Sequence, residues 1–301
     1  MEQWILIRGR DINNPVLLWL HGGPGAAQIP VGRYFNGPLE DDFVVVQWDQ
    51  RGAGKSNPIG FDEQNMTLEQ FVRDAHELTQ YLKKRFNKEK IFLIGHSWGM
   101  HFGIKVVRAY PGDYYAYVAV SQVVDSARGS KIAYSWLQEQ IENRSNQKDI
   151  RRLTELGLPP YTDHWTYVKF AKMVEAYGGG IDVGMGKLAL IALRAPEYRP
   201  GDYIAWLRGA NRGSGPMWKA TRSFNMFQEV PQLLLPVYFF SGSRDYNTPL
   251  QLVEEYLAVL DAPFGKHLVR FDSSAHAPFM GEQKKFNREM VRVKEETYRS
   301  P

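Results

Sequence analysis

Short, nearly unbroken apolar runs constrain this chain more than any other feature. They fall at residues 16–20, 43–48, 91–94, 117–120 and 237–240. A strand with one wet face alternates apolar and polar residues. A continuous run instead suits a strand buried on both faces, as in a parallel sheet covered by helices. Residues 4–8 and 267–271 read as two further strands. Between the third and fourth strands the spacing predicts a helix. Thr67 caps it, Gln70 completes a Thr-x-x-Gln box, and Phe71, Ala75, Leu78, Leu82 and Phe86 share one face. A second helix is expected from Ser97 to just before Pro111, another over 250–260, and a last one over 282–298.

The pattern breaks once. From Asp125 to Val230 strand signals vanish, and helical stretches alternate with breaks such as Pro159-Pro160, Gly178-Gly179-Gly180 and Gly213-Ser214-Gly215-Pro216. The expected organisation is an α/β core formed by 1–124 and 231–301, with a helical insertion at 125–230.

Composition narrows the chemistry. The chain has no cysteine, which excludes disulfides, Cys-ligated zinc, iron–sulfur clusters and thiol catalysis. Lys plus Arg total 37 against 33 Asp plus Glu, a net charge of +4 over 301 residues, with no basic stripe to attract nucleic acid. No run approaches the roughly 18–20 apolar residues of a membrane helix, and the start of the chain carries no signal-peptide pattern. The expected location is cytoplasmic.

The strongest chemical signal is Gly95-His96-Ser97-Trp98-Gly99. It follows one buried strand and opens a helix, the setting a nucleophile elbow requires. A serine hydroxyl attacks a carbonyl only if a base takes its proton and a third group orients that base. In this architecture the chain order is Ser, acid, His, each in a loop after a strand. Asp245 in Ser241-Gly242-Ser243-Arg244-Asp245 and His276 in Ser273-Ser274-Ala275-His276-Ala277 occupy such loops. Asp272, at the end of a strand, is the competing acid; loop position and chain spacing favour Asp245. Among the other histidines, His101 is expected to pack under the elbow, His96 to point away from Ser97, and His76 to be solvated or half-buried on its helix; for His164 the surface is preferred over a place facing the pocket.

Acyl transfer also needs donors for the oxyanion. His21-Gly22-Gly23-Pro24-Gly25 follows an early strand, and Pro24 has no N–H to give. The Gly23 and Trp98 amides are the expected donors. Gly54-Lys55-Ser56 imitates the end of a phosphate-binding loop, but that pattern needs glycine at 49, which is Asp49. The stretch reads as a tight turn in which Asp49 and Arg51 order the loops near the site. No metal-ligand spacing is present, and neither metal nor cofactor is expected.

Together, His21-Gly22-Gly23-Pro24-Gly25, Asp49-Gln50-Arg51-Gly52-x-Gly54-x-Ser56, Gly95-His96-Ser97-Trp98-Gly99, Asp245 and His276 resemble the prolyl aminopeptidase (proline iminopeptidase) family of α/β-hydrolases. The resemblance implies a mostly parallel sheet with helices on both faces and an inserted helical cap. It implies a cofactor-free serine peptidase removing an N-terminal residue, preferentially proline, from short peptides. It also implies cap carboxylates that hold the substrate's free amine. Their surrounding motif is not matched in 125–230. Glu139, Glu142, Glu175, Asp182, Glu197 and Asp202 are the available acids, each read first as a solvated surface group. The alternative is a carboxylesterase or lactonase using the same three residues under an aromatic cap. Dehalogenase and epoxide hydrolase chemistry would want a carboxylate where Ser97 stands.

Overall fold

The computed structural model describes residues 1–298. Seven strands form one sheet: β1 (Trp4–Arg8), β2 (Val16–Leu20), β3 (Val44–Asp49), β4 (Ile91–His96), β5 (Tyr114–Val120), β6 (Val237–Gly242) and β7 (Lys266–Phe271), in the spatial order β1-β3-β2-β4-β5-β6-β7. Only β1 runs antiparallel, at one edge against β3; the other neighbours are parallel.

The unbroken apolar runs have a simple cause. Every residue of β2, β3, β4 and β6 is buried, and successive side chains enter two different cores. Leu18, Leu20, Val46, Leu93 and Phe239 face one side, with Phe71, Ala75 and Leu82 of α2 (Leu68–Phe86), Phe102 of α3 (Trp98–Ala109) and Tyr256 of a helix at Leu250–Val259. Leu17, Trp19, Phe92, Val118 and Phe240 face the other, with Val31 and Phe35 of α1 (Ile29–Asn36) and Phe286 of a helix at Gln283–Thr297. Fully burying one such side chain contributes about 1.5–3 kcal/mol, so neither face tolerates a polar alternate.

The α2 cap is half of the expected box. Thr67 Oγ1 accepts the Gln70 amide at 3.2 Å, but the Gln70 side chain turns to Asp74, at 2.7 Å. Asp74 is buried and holds Arg51 through two bonds of 2.7 and 2.9 Å, so it needs Gln70 more than the helix start does. Helix α1 has no counterpart in the sequence reading, because Pro30 and Gly32 interrupt its pattern.

Between β5 and β6 lie seven helices: α4 (Ser126–Asn143), α5 (Gln147–Leu156), α6 (His164–Ala176), α7 (Met185–Leu193), α8 (Pro200–Arg212), α9 (Ser214–Thr221) and α10 (Met226–Glu229). Three further helices follow β6 among the described residues: α11 (Leu250–Val259), α12 (Pro278–Gly281) and α13 (Gln283–Thr297). The helices α4, α5 and α6 share a separate apolar cluster that includes Leu137, Leu153 and Phe170. The entry and exit of this segment are tied together. Asp125 caps α4 by accepting the Arg128 amide, Asn225 caps α10 by accepting the Phe227 amide, and Asn225 Nδ2 donates to Asp125 Oδ2 at 3.2 Å. Backbone bonds from Met226 to Val124 and from Ser126 to Phe224 close the neck. No helix among the described residues is long and apolar enough to cross a membrane.

Candidate active site

The site sits at the carboxyl ends of the parallel strands, where open α/β sheets present their loops. Strand β4 runs two residues further than its apolar core suggests, through Gly95 and His96, and delivers Ser97 directly to the start of α3. Ser97 has φ 51° and ψ −111°, a left-handed conformation that an L-residue adopts at a cost of about 1–3 kcal/mol. The turn is held from both sides: the Ser97 amide bonds the Val120 carbonyl, and the Ser97 carbonyl accepts the Met100 amide. The fifth residue of the motif must be glycine because a Cβ on Gly99 would overlap the backbone carbonyl of Leu20 on the neighbouring strand.

Three residues distant in sequence meet here. His276 Nε2 lies 2.9 Å from Ser97 Oγ, and His276 Nδ1 lies 2.9 Å from Asp245 Oδ2. The Asp245 carboxylate is fully enclosed. Its Oδ1 accepts the Asn247 and Thr248 amides, each at 2.9 Å, and its Oδ2 accepts the Thr248 hydroxyl at 2.5 Å. Asp272, the competing acid, instead accepts the Ser243 hydroxyl. Chemically, an Nδ1-protonated imidazole held by Asp245 leaves Nε2 free to take the Ser97 proton.

The glycine loop after β2 lies against the elbow. A Cβ on Gly22 would come within 2.9 Å of His96 Nδ1 and 3.4 Å of Ser97 Cβ. Gly23 and Trp98 line the same cavity as Ser97. Trp98 is the first residue of α3, so its amide has no partner within the helix and is free for an oxyanion.

Gln50 joins three motifs, a role the sequence reading missed. Its amide donates to His21 Nε2, its Nε2 donates to the His21 carbonyl, and its Oε1 accepts the Trp98 indole N–H. Its only sequence signal was its place between Asp49 and Arg51. Those two order the loops through separate partners. Arg51 is bound to Asp74, whereas Asp49 accepts the Tyr198 hydroxyl at 2.6 Å and the Lys55 amide at 2.9 Å. Asp49 therefore fastens the tight turn at Gly54–Ser56 to the helical segment above it.

The cavity beside Ser97 has a volume of about 130 Å³ and is roofed by α4, α6 and α9. His164 is half-buried and lines it, with Nε2 2.8 Å from the Ser214 hydroxyl. Tyr161, Tyr167, Phe170, Trp218 and Tyr246 supply its aromatic walls. Its charged lining residues, among the described residues, are Asp125 and Arg222. None of the six cap acids named above lines it. Glu139, Glu142 and Glu175 are exposed, Asp202 pairs with Lys55 and Glu197 with Arg33, and Asp182 lies behind the His276 loop.

The family described as serine aminopeptidase, S33, matches residues 32–155. A probable aminopeptidase, YbaC, of Bacillus subtilis is 33% identical over 289 residues, covering 95% of this chain and 90% of its own. A proline iminopeptidase of Lactobacillus acidophilus is 30% identical over 285 residues, covering 91% and 88%. The chain belongs to the prolyl aminopeptidase (S33) family of α/β-hydrolases. It is a serine hydrolase. The fold agrees: a crystal structure of a Mycobacterium smegmatis proline iminopeptidase superposes with a TM-score of 0.65 over 98% of this chain and 95% of that one, at 17% identity.

The electrostatics of this S33 hydrolase divide its histidines. For His276, burial lowers the pKa, but the adjacent Asp245 charge and hydrogen bond outweigh it, and the net shift is upward. His21, His96 and His101 are pushed down to about 4, 3 and 3, in each case first by desolvation. His96 does point away from Ser97: its Nε2 contacts the His276 carbonyl at 2.9 Å. His101 packs between Trp98 and Phe224, under the elbow, and also reaches the cavity wall. Asp49 is pushed up to about 7 by desolvation.

These shifts predict acid lability. His21, His96 and His101 are neutral in the folded protein but protonate near pH 6.5 once unfolded, so stability is lost as pH falls from about 6.5 toward their folded pKa values. Asp49 works the other way, since the folded state holds its proton up to about pH 7. Near pH 5.5 unfolding should take up a net of roughly two protons, a loss of about 2–3 kcal/mol per pH unit. Denaturant melts at pH 7, 6 and 5 measure it; a flat profile over that range would show that these histidines are not buried neutral.

Proposed function

We propose that this hydrolase is an aminopeptidase of proline iminopeptidase type, releasing N-terminal residues from short peptides through an acyl-enzyme on Ser97. The hydrogen-bonded chain from Ser97 Oγ through His276 to the enclosed Asp245 carboxylate carries the reading. Ser97 attacks the carbonyl while His276 takes its proton. Asp245 holds the imidazole and stabilises the imidazolium. The Gly23 and Trp98 amides bind the oxyanion, His276 returns the proton to the leaving amine, and water then repeats the sequence to free the acid. The cap spans residues 125–230, and the core is formed by 1–124 and 231–301.

The cavity lining favours a second reading, a carboxylesterase for small apolar esters. Its aromatic walls suit apolar groups. Of its two charged residues, Asp125 already has both oxygens engaged, by the Arg128 amide and by Asn225. A free amine therefore finds no unengaged carboxylate in the cavity as it stands.

A short substrate panel separates the two. An aminopeptidase turns over proline and alanine p-nitroanilides with a free amine and leaves N-blocked anilides untouched. Turnover of p-nitrophenyl acetate and butyrate with no anilide activity would overturn the aminopeptidase reading in favour of the esterase.

A further inference from the structure

One cap segment supplies acceptors to three successive amides of the loop that carries His276. Asp182 Oδ1 accepts the Ala275 amide at 2.7 Å, Gly180 O accepts the His276 amide at 2.9 Å, and Asp182 Oδ2 faces the Ala277 amide at 3.4 Å. The same segment reaches the loop of the acid, where Gly179 O accepts the Tyr246 amide at 3.0 Å. This segment joins α6 to α7 and belongs to neither strand that builds the site. Buried amides without acceptors are strongly disfavoured, so without it the His276 loop would have to rearrange.

Asp182 does more than fill acceptor positions. Its side chain is 7% exposed, and the cation near it is Arg244, 3.7 Å away and one residue before Asp245. Arg244 also bonds the Ser273 carbonyl, at the other end of the histidine loop. A buried carboxylate thus straddles the backbone on both sides of the catalytic imidazole; desolvation raises its pKa, and the Ala275 and Ala277 amides and Arg244 oppose that shift.

We propose that Asp182 is a positioning residue: from the cap, it fixes the His276 loop and adds its charge to that of Asp245 in favouring the imidazolium. The proposal rests on the Ser97–His276–Asp245 reading above. It gives the cap a part in the chemistry beyond enclosing substrate, because any movement of residues 179–182 alters the geometry and the basicity of His276 together.

The groups that face His276 are few. Asp245 holds Nδ1 and Ser97 meets Nε2. The His96 ring lies 5.2 Å away and is neutral above pH 5, with its pKa near 3. Asp182 and Glu175 act on His276 through space, both raising its pKa. Of these two, Asp182 also bonds amides of the histidine's own loop.

The test uses Asp182→Asn and Arg244→Gln in the full chain, reading the pH dependence of Ser97 labelling by a fluorophosphonate and of kcat/KM. Asparagine keeps the shape but offers one acceptor and no charge. Its midpoint should move down by about half a pH unit or more, with kcat reduced about tenfold and KM within about twofold. Arg244→Gln leaves Asp182 without its counter-charge and should move the midpoint up. An unchanged midpoint in Asp182→Asn, even with a lowered melting temperature, would reduce Asp182 to a structural contact and overturn the proposal. If Asp182→Asn does not fold, Arg244→Gln carries the test, and an unmoved or lowered midpoint there overturns it. Failure of the native enzyme to label at Ser97 would instead bring down the triad reading itself.

Discussion

Ser97→Ala is expected to lower kcat by about 10⁵–10⁶-fold while leaving the fold intact. The hydroxyl has one hydrogen-bond partner in the structure, His276 Nε2, so its removal breaks a single side-chain bond. The strained backbone at residue 97 is held by strand β5 and by α3, not by the hydroxyl, so alanine occupies the same position. What disappears is the atom that forms the acyl bond. The remaining activity, about 10³–10⁴ above water, would come from oxyanion donors and binding alone. Circular dichroism and a melting curve establish the fold, and initial rates on the best panel substrate establish the loss. Retention of more than about one per cent activity would mean that another group is the nucleophile.

Asp245→Asn should cost about 10⁴-fold in kcat, for a reason particular to this site. Two backbone amides, from Asn247 and Thr248, point at Oδ1. They demand an oxygen there. An asparagine must therefore turn its NH₂ toward His276 Nδ1, where a carboxylate oxygen now sits 2.9 Å away. A donor in that place makes Nδ1 the acceptor and puts the ring proton on Nε2, facing Ser97. The imidazole then cannot accept the serine proton until it flips its tautomer. The same change removes the charge that raises the His276 pKa, so the acid limb of the rate profile should also move to lower pH. Wild-type activity should fall as pH drops through a midpoint above 6.5, because only the neutral imidazole acts as base. A variant with full kcat, or with the wild-type pH midpoint, would remove Asp245 from the mechanism.

The sheet and the meeting of Ser97, Asp245 and His276 were readable because both have local causes. Unbroken apolar runs follow from burial on two faces, Gly99 follows from contact with the Leu20 backbone, and Gly95 from the closeness of the Tyr117 hydroxyl. Loop position after β6 and β7 pointed to the two side chains, Asp245 and His276, that line up with Ser97. What the sequence did not display was pairing over long separations. Gln50 as the link between His21 and Trp98, Arg51 with Asp74 and Asp49 with Tyr198 leave no periodicity and no short-range pattern. Asp182 belongs to the same class. It looked like one surface acid among six, and became legible only when the fold placed it across the amides of Ala275 and Ala277. For His164 the sequence left surface and pocket both open, with surface preferred; a helix-start residue reads as exposed until the roof of helices turns it toward Ser214.

The most direct test of the central claim is mass spectrometry of the enzyme quenched during turnover of a p-nitrophenyl ester or an activated peptide substrate. The account predicts a single acyl adduct on the peptide containing Ser97, absent from Ser97→Ala and accumulating when deacylation is slowed at low pH. Steady turnover with no covalent species, or an adduct mapped to any other residue, would contradict it.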